Sequence, residues 1–402
     1  MKMKPEPRRT PELRFPEFDQ DLARRLLGEI VTAHNSGIYK SASLYGTGAN
    51  IIGVSDLYSI SSVDGQTFNR VPLTDEEISK FSLDEGDLLY AESSLVREGI
   101  AKTVYVTKKG VGTAFEWHTR RFKVDFQVAI PSYLHYNLEA PPVRRRIMRV
   151  ATQTALTGIT TNDYFSTTIW LPDKSEQTKV AGFLSPVDEK IGQLARKREI
   201  LLKYKKGVMQ QIFDQKIRFK DEKGNDFPDW EEKRIEELFT ITRGNVLPMN
   251  RVRPRPSGEF VFPVYSSQTF NKGLSGFFDK YLFEDCITWT TDGAGAGDVN
   301  FRRGKFYCTN VCGVLQSEVG YANQFLAELL NTLSRRHVSY VGNPKLMNNV
   351  IAKIRVRIPS SMEEQRLISE FFEALDTKIN LVSQQLVNTK AFKKGLLQQL
   401  FV

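Results

Sequence analysis

The sequence predicts an α+β chain ordered as block, long helix, block, long helix. Three observations carry that prediction. One helical segment is written twice. Both copies hold a two-position apolar heptad seam. The stretch before each copy reads as short apolar strands broken by polar turns.

The duplication is plainest at its end, where YKKGVMQQIF (Tyr204–Phe213) returns as FKKGLLQQLF (Phe392–Phe401). With Glu176 laid over Glu364, the two copies align without a gap for 38 positions, and 12 are identical. Glu176, Gln177, Phe183, Asp188, Lys205, Lys206 and Gly207 are among them. Each copy follows a strand-like run that ends in proline, TTIWLP at Pro172 and KIRVRIP at Pro359.

In the first copy Val187, Leu194, Leu201 and Val208 recur every seventh residue, with Ile191 and Ile212 on the second seam line. In the second copy Leu375, Val382 and Leu396 alternate with Ile379, Leu386 and Leu400. A narrow seam of this kind marks helices that pack along their length. Two related seams in one chain predict mutual pairing, against the plainer reading of a helix docked on its own domain. The candidate seam and partner-contact residues are Val187, Ile191, Leu194, Leu201, Ile212, Phe213, Leu375, Ile379, Val382, Leu386, Leu400 and Phe401. Each seam carries a basic residue at the same place, Lys205 and Lys393. Ser185, Pro186 and Asp188 read as a helix start. They predict a short helix over 176–184, a kink, and a long helix from Pro186 to Phe213 of about 42 Å. Ala374 stands in place of Pro186 in the second copy, which should run straighter.

A fainter echo precedes each helix. FDQDLARRLLGEI (Phe18–Ile30) resembles DFPDWEEKRIEELF (Asp226–Phe239), with Leu22 where the second has Trp230. The boundaries drawn are a flexible basic tail over 1–18, a first block over 19–172 and a central helix over 173–218. A linker over 219–229, a second block over 230–359 and a C-terminal helix over 360–402 complete them. In the first block YGTGANIIGVSDLY, EGDLLYAESS, KTVYVT and RRFKVDFQVAI read as strand regions. In the second, FVFPVYSS, DCITWTT and KFYCTNVCGVLQS do, followed by a helix-like ANQFLAELLNTLSRRHV.

Composition narrows the partners. Lys and Arg number 56 against 47 Asp and Glu, a net charge of +9 that favours a polyanion. No apolar run reaches the length of a membrane span. Three cysteines, Cys286, Cys308 and Cys312, fit reduced cytosolic thiols better than a disulfide framework. CTNVC lacks a nearby His or second Cys pair to complete a zinc site, so no metal is expected. The loops supply donors and acceptors of the kinds that read base edges and hold phosphates. The candidates are Asn35, Ser93, Ser94, Arg97, Arg120 and Arg121 in the first block. In the second they are Arg243, Asn245, Ser266, Ser267, Gln268, Thr269, Thr291, Asp292 and Arg302.

Catalytic signals are weak. DGAGAGDV (Asp292–Val299) has alternating glycines, but a strand-like VNFRRGKFYC follows where a dinucleotide fingerprint needs a helix. It reads as a glycine turn between strands. There is no P-loop and no G-x-S-x-G elbow, and His34, His118, His135 and His337 show no ligand spacing. No catalytic residue and no cofactor are expected.

Two divergent blocks, each followed by a helix opening with EQ and closing in KKG-x-x-QQ-x-F, resemble the specificity subunits of type I restriction–modification systems. SEQTKVAGFLSPVDEKI, MEEQRLISEFFEALDTKI, DWEEKRIEEL from Asp229 and ITWTTDGAGAGDVNFRRGKFYCTN carry the likeness. The resemblance spans nearly the whole chain. It implies that the blocks are target-recognition domains and that the helices pair as an antiparallel coiled coil with pseudo-twofold symmetry. It further implies a cytoplasmic, non-catalytic subunit that reads a bipartite double-stranded DNA target. Its partners would be two methyltransferase (M) subunits and, in the full complex, two restriction (R) subunits. The alternatives weighed are a self-sufficient DNA methyltransferase using the 292–299 loop for its cofactor, and a repeat-built adaptor that never meets DNA.

Overall fold

The structure, a computed structural model, describes residues 10–153 and 156–402. It forms two compact units, one ending at Arg196 and completed by Ser383–Val402, the other Lys197–Val382. Two long helices, α1 (Lys174–Phe213) and α2 (Met362–Leu400), are each divided between the units.

Behind their divergent sequences the two blocks hide one sheet topology. In the first unit the order is Val31–Ser36, Thr119–Val124, Leu88–Ala91, Thr103–Val106, Ser62–Val63. In the second it is Thr240–Arg243, Cys312–Gln316, Phe283–Thr290, Val299–Cys308, Phe262–Tyr265, then Leu274–Phe278. Leaving that last strand aside, both sheets run first, fifth, third, fourth, second in chain order. Every neighbouring pair among these five is antiparallel except the fourth with the second, which is parallel. The large aromatic side chains that fill the two cores differ. Tyr90, Phe122 and Tyr164 stack in the first unit, with Tyr90 and Tyr164 centroids 4.2 Å apart. Trp289 fills the second and lies across Gly313, where an added Cβ would sit 2.1 Å from its ring.

Two helices that the sequence did not announce, Pro131–Glu139 and Pro141–Val150, cover the first sheet's side. Each starts on proline, whose missing N–H costs nothing in a first turn. The helix expected in ANQFLAELLNTLSRRHV is present as Gln324–Leu333, capped by Asn323 accepting from the Leu326 N–H at 3.0 Å.

The echo before each helix copy is a strand pair. Ala23–Leu26 runs antiparallel to Thr168–Leu171, and Trp230–Arg234 to Arg355–Pro359. Leu22 and Trp230 are both buried, so they fill the same kind of place with different volumes.

The repeated EQ has a physical reason. Asp173 and Ser361 cap the two long helices, accepting from the Glu176 and Glu364 N–H groups at 2.9 and 3.5 Å. Glu176 then takes both a 2.8 and a 2.7 Å bond from Arg14, and Glu364 takes 3.1 and 2.8 Å bonds from Arg218. Gln177 donates to the Pro172 carbonyl, and Gln365 to that of Pro359, each at 2.9 Å. The motif therefore ties each helix start to the strand before it. Phe15 and Phe219 pack edge-on against Phe183 and Phe371 at 5.7 and 5.9 Å. A second repeated dipeptide, Arg14-Phe15 and Arg218-Phe219, thus meets the repeated helix. Residues 10–18, assigned by sequence to the tail, include this anchor.

The helix expected to break before Pro186 is continuous: α1 is one helix of 40 residues, about 60 Å long. Pro186 removes the bond to the Gly182 carbonyl, but both residues are exposed, so water can replace it. The start expected at Ser185 lies instead at Asp173.

All twelve seam candidates are buried or half-buried. In the first unit Leu194, Leu400 and Phe401 are buried, with the Phe401 ring 5.4 Å from Tyr133. In the second unit Ile212, Leu375, Ile379 and Val382 are buried, and Phe213 meets Phe325 and Phe372 at 6.1 and 6.0 Å. Val187, Ile191, Leu201 and Leu386 are half-buried. The closing Phe of each copy therefore plugs a block core, α1 into the second block and α2 into the first. Phe401 is buried and contributes roughly 2–3 kcal/mol of apolar burial, and the half-buried Phe213 contributes less.

Each unit also carries one copy of the same ion pair. Asp188 meets Lys393 at 2.5 Å in the first, and Asp376 meets Lys205 at 2.6 Å in the second. Asp188 lies over Asp376 in the repeat, and Lys205 over Lys393, so the bonds are equivalent. In each unit the α1 and α2 segments run antiparallel.

The three cysteines are free and buried, and burial pushes the Cys286 and Cys312 thiols up to about 11. Among the described residues no His, Cys, Asp and Glu gather as metal ligands. No helix of the described residues is long and apolar enough to cross a membrane.

Candidate nucleic-acid interface

In the second unit the candidate loops meet at one edge of the sheet. Gly244 follows the first strand, and its N–H donates to the Cys312 carbonyl at 3.1 Å. Asn245 donates through its backbone to Cys308 at 3.1 Å. A Cβ on Gly244 would lie 2.2 Å from the Cys308 carbonyl oxygen, so only glycine lets these strands close here. The Ser266 hydroxyl bonds to that of Thr309 at 3.0 Å. Gly295 of the glycine turn packs on Thr269, and Gly293 donates to the Pro344 carbonyl at 3.0 Å. The turn does connect two strands, Phe283–Thr290 and Val299–Cys308.

The edge sorts the candidates into two groups. Several are spent inside the fold. Arg302 is buried, donates to the Thr288 hydroxyl at 2.9 Å and to the Lys272 carbonyl at 2.6 Å, and stacks on Tyr265 at 3.7 Å. Burial holds its guanidinium below the usual arginine range. Its role in the geometry is to clamp the 266–273 loop, where Asn271 and Lys272 hold positive φ of 49° and 51°. Such left-handed non-glycine residues cost about 1–3 kcal/mol each and persist only where neighbours hold them. Thr291 is buried, and its backbone N–H donates to the Val311 carbonyl at 3.0 Å. Asp292 accepts from the Thr291 hydroxyl at 2.6 Å. Arg243 donates to Asn348 at 3.0 Å. Ser267 is half-buried, while Asn245, Gln268 and Thr269 are exposed, with Gln268 bonded to the Leu274 carbonyl.

Sequence reasoning passed over RVRPRP. Arg251, Arg253 and Arg255 are all exposed, the first two lying 5.2 Å over the rings of Phe278 and Phe260. In the same unit Val246 and Phe270 are 75% and 73% exposed. Arginine at alternate positions, broken by prolines that prevent regular pairing, was the signal available.

The first unit repeats the arrangement. Gly37 follows the first strand as Gly244 does, and its Cβ would lie 2.2 Å from the Phe115 carbonyl oxygen. Arg121 is committed within the fold, bonding Asn35 at 2.9 Å, the Ser82 and Lys80 carbonyls at 2.8 and 3.1 Å, and Asp87 at 3.5 Å. Asn35 is thereby its partner. Arg120 bonds Glu92. The Ser93 carbonyl accepts from Tyr58, and the buried Ser94 hydroxyl from the Val96 N–H at 3.2 Å. Arg97 is exposed and reaches the Met148 carbonyl at 3.1 Å. Tyr39 and Trp117 are exposed and edge-on at 5.5 Å, and in the same unit Leu95 and Val96 are 88% and 60% exposed. Of the fifteen candidates, then, most arginines hold loops rather than face solvent, and the exposed residues are their neighbours.

Comparison with known proteins now becomes specific. The family model for the type I restriction modification DNA specificity domain matches residues 228–389. A protein described as the N-terminus of a type I specificity subunit of Mycoplasma pneumoniae is 38% identical over 137 residues, covering 33% of this chain and 72% of that one. The chain belongs to the type I restriction–modification specificity subunit family. A second Mycoplasma pneumoniae specificity subunit is 36% identical over 151 residues, covering 37% of this chain and 48% of its own. The specificity subunit of a type I restriction enzyme of Methanocaldococcus jannaschii is 24% identical over 409 residues, covering 96% of this chain and 93% of that one. Among solved structures, the S subunit of a type I restriction–modification system from M. genitalium matches in fold. Its TM-score is 0.66 at 18% identity, covering 98% of this chain and 99% of that one.

Proposed function

We propose that this specificity subunit reads a bipartite double-stranded DNA target, one half-site per block, and performs no chemistry itself. The observation that carries the reading is the paired edge. The same five-strand topology places Gly37 in one unit and Gly244 in the other at the foot of a polar, arginine-bearing loop cluster. Exposed arginines such as Arg251, Arg253 and Arg255 supply phosphate contacts and salt-dependent affinity. Loop residues such as Asn245 and Thr269 supply base-edge contacts. Because the loops of the two blocks differ, the half-sites differ.

The long helices set the unread spacer between half-sites. Matched four-residue insertions at Lys197 and at its repeat counterpart Gln385 lengthen the spacer and leave both half-sites unchanged. The methyltransferase and restriction partners are expected on the exposed apolar side chains of the helices, where repeat-equivalent Tyr204 and Phe392 are 50% and 58% exposed. The test is a footprint of the chain with its methyltransferase partner: two separated short protections are expected. One continuous protection, or methyl transfer by this chain alone, overturns the reading.

A further inference from the structure

The KKG of the C-terminal helix has a role that seam packing does not explain. In the first unit Lys390, Lys393, Lys394 and Leu397 line a cavity of about 400 Å³ together with the helix that starts at Pro141. Its lining joins apolar Pro141, Met148 and Leu397 to a set of Lys and Arg side chains.

Three of the lining cations are already committed. Lys102 meets Glu139 at 2.5 Å, Lys393 meets Asp188 at 2.5 Å, and Arg144 donates to the Ala101 and Glu98 carbonyls at 3.0 and 2.9 Å. The other three, Arg145, Lys390 and Lys394, are exposed and make no ion pair among the described residues. The lining holds six cations against two carboxylates, Glu98 and Glu139. Like charges gathered this closely oppose folding unless an anion joins them.

The repeat supplies an internal control. Lys390 is replaced by Leu202 in the first copy, and the counterpart of Lys393, Lys205, lies between Glu328 and Asp376 at 2.5 and 2.6 Å. The cationic cavity is therefore a property of the first unit and not of the shared helix design.

We propose that this cavity is a phosphate-binding site. Arg145, Lys390 and Lys394 grip the phosphate, and Met148 and Leu397 receive the apolar part of the molecule that carries it. A cavity of this size is at the small end of ligand pockets and matches one nucleotide. The phosphate comes either from a free nucleotide or from a DNA backbone. The second source rests on the proposed DNA reading; the first does not.

The test uses the full-length chain and its K390Q/K394Q variant, with K206Q as the control from the other helix. Glutamine keeps helix propensity, and matching thermal midpoints establish that the variants fold. Calorimetric titration with ADP and with adenosine is run beside a salt-dependent titration with the duplex target and the methyltransferase partner. If the source is a free nucleotide, ADP binds, adenosine does not, and K390Q/K394Q weakens ADP at least ten-fold while K206Q does not. If it is a DNA phosphate, ADP binding is absent and the double variant lowers the salt slope by about 1–2. The proposal is overturned if both titrations are the same for wild type and double variant, or if K206Q has an equal effect. Loss of the footprint in every form, with ADP binding intact, would count against the DNA reading alone.

Discussion

The two ion pairs of the helix repeat have the same residues in different surroundings. Lys205 has two acids, Glu328 and Asp376, within 2.6 Å. Burial pulls its pKa down, but the two carboxylates outweigh that and hold it above the ordinary lysine value. Lys393 is ion-paired with Asp188, lies 5.1 Å over the Tyr136 ring, and is held below the ordinary value chiefly by its burial. The helix repeat thus fixes which residues meet, while the block packed against each helix decides what the meeting is worth.

The largest expected difference comes from removing the acids. Asp188→Ala leaves Lys393 buried without its ion-pair partner and should cost about 3–5 kcal/mol. Asp376→Ala leaves Glu328 on Lys205 and should cost about 1–2 kcal/mol. Urea unfolding midpoints measure both; equal losses would break the comparison.

The glutamines of the EQ motif provide a smaller contrast. Gln177 accepts from the Ile130 N–H at 2.8 Å and donates to the Val128 and Pro172 carbonyls at 3.0 and 2.9 Å. Gln365 makes only the Pro359 bond, and its Oε1 is buried without a partner among the described residues. Gln177→Ala should therefore destabilise by about 1–2 kcal/mol more than Gln365→Ala. A chemical-denaturation series on the two variants checks the order.

The smallest effect is in titration. A lysine held above its unfolded value stabilises the fold fully at lower pH, and loses that contribution as pH rises through the raised value. That is Lys205. Lys393 is the reverse: its charge opposes folding at neutral pH, and the penalty shrinks as pH rises through its lowered value. Carbon-detected NMR of the two lysine side chains should show Lys393 titrating first. Coincident titrations would contradict the assignment.

The helices were legible in the sequence because a repeat exposes its own register; a gapless alignment needs no structure. The unbroken course of α1 was not, because Pro186 read as a second helix start, although an exposed carbonyl makes that proline cheap. The common sheet was hidden because topology survives when core volumes change, as with Tyr90 in one block and Trp289 in the other. At the candidate interface, residue type picked out loops that gather at one sheet edge, but it did not show which arginines are bonded within the fold. Arg121 and Arg302 lie on strands, and their partners, Ser82 and Lys272, come from distant parts of the chain. Arg14 was lost to the tail for the same reason, since Glu176 lies 162 residues away. RVRPRP was readable and was passed over because no strand or helix period marked it.

The central claim is that two blocks of one topology read DNA independently. It is tested most directly by exchanging residues 230–359 for the corresponding block of a relative, then sequencing the methylome of cells carrying the hybrid with its methyltransferase partner. The account predicts that one half-site changes while the other half-site and the spacer length remain. A change in both half-sites, or in neither, would contradict it.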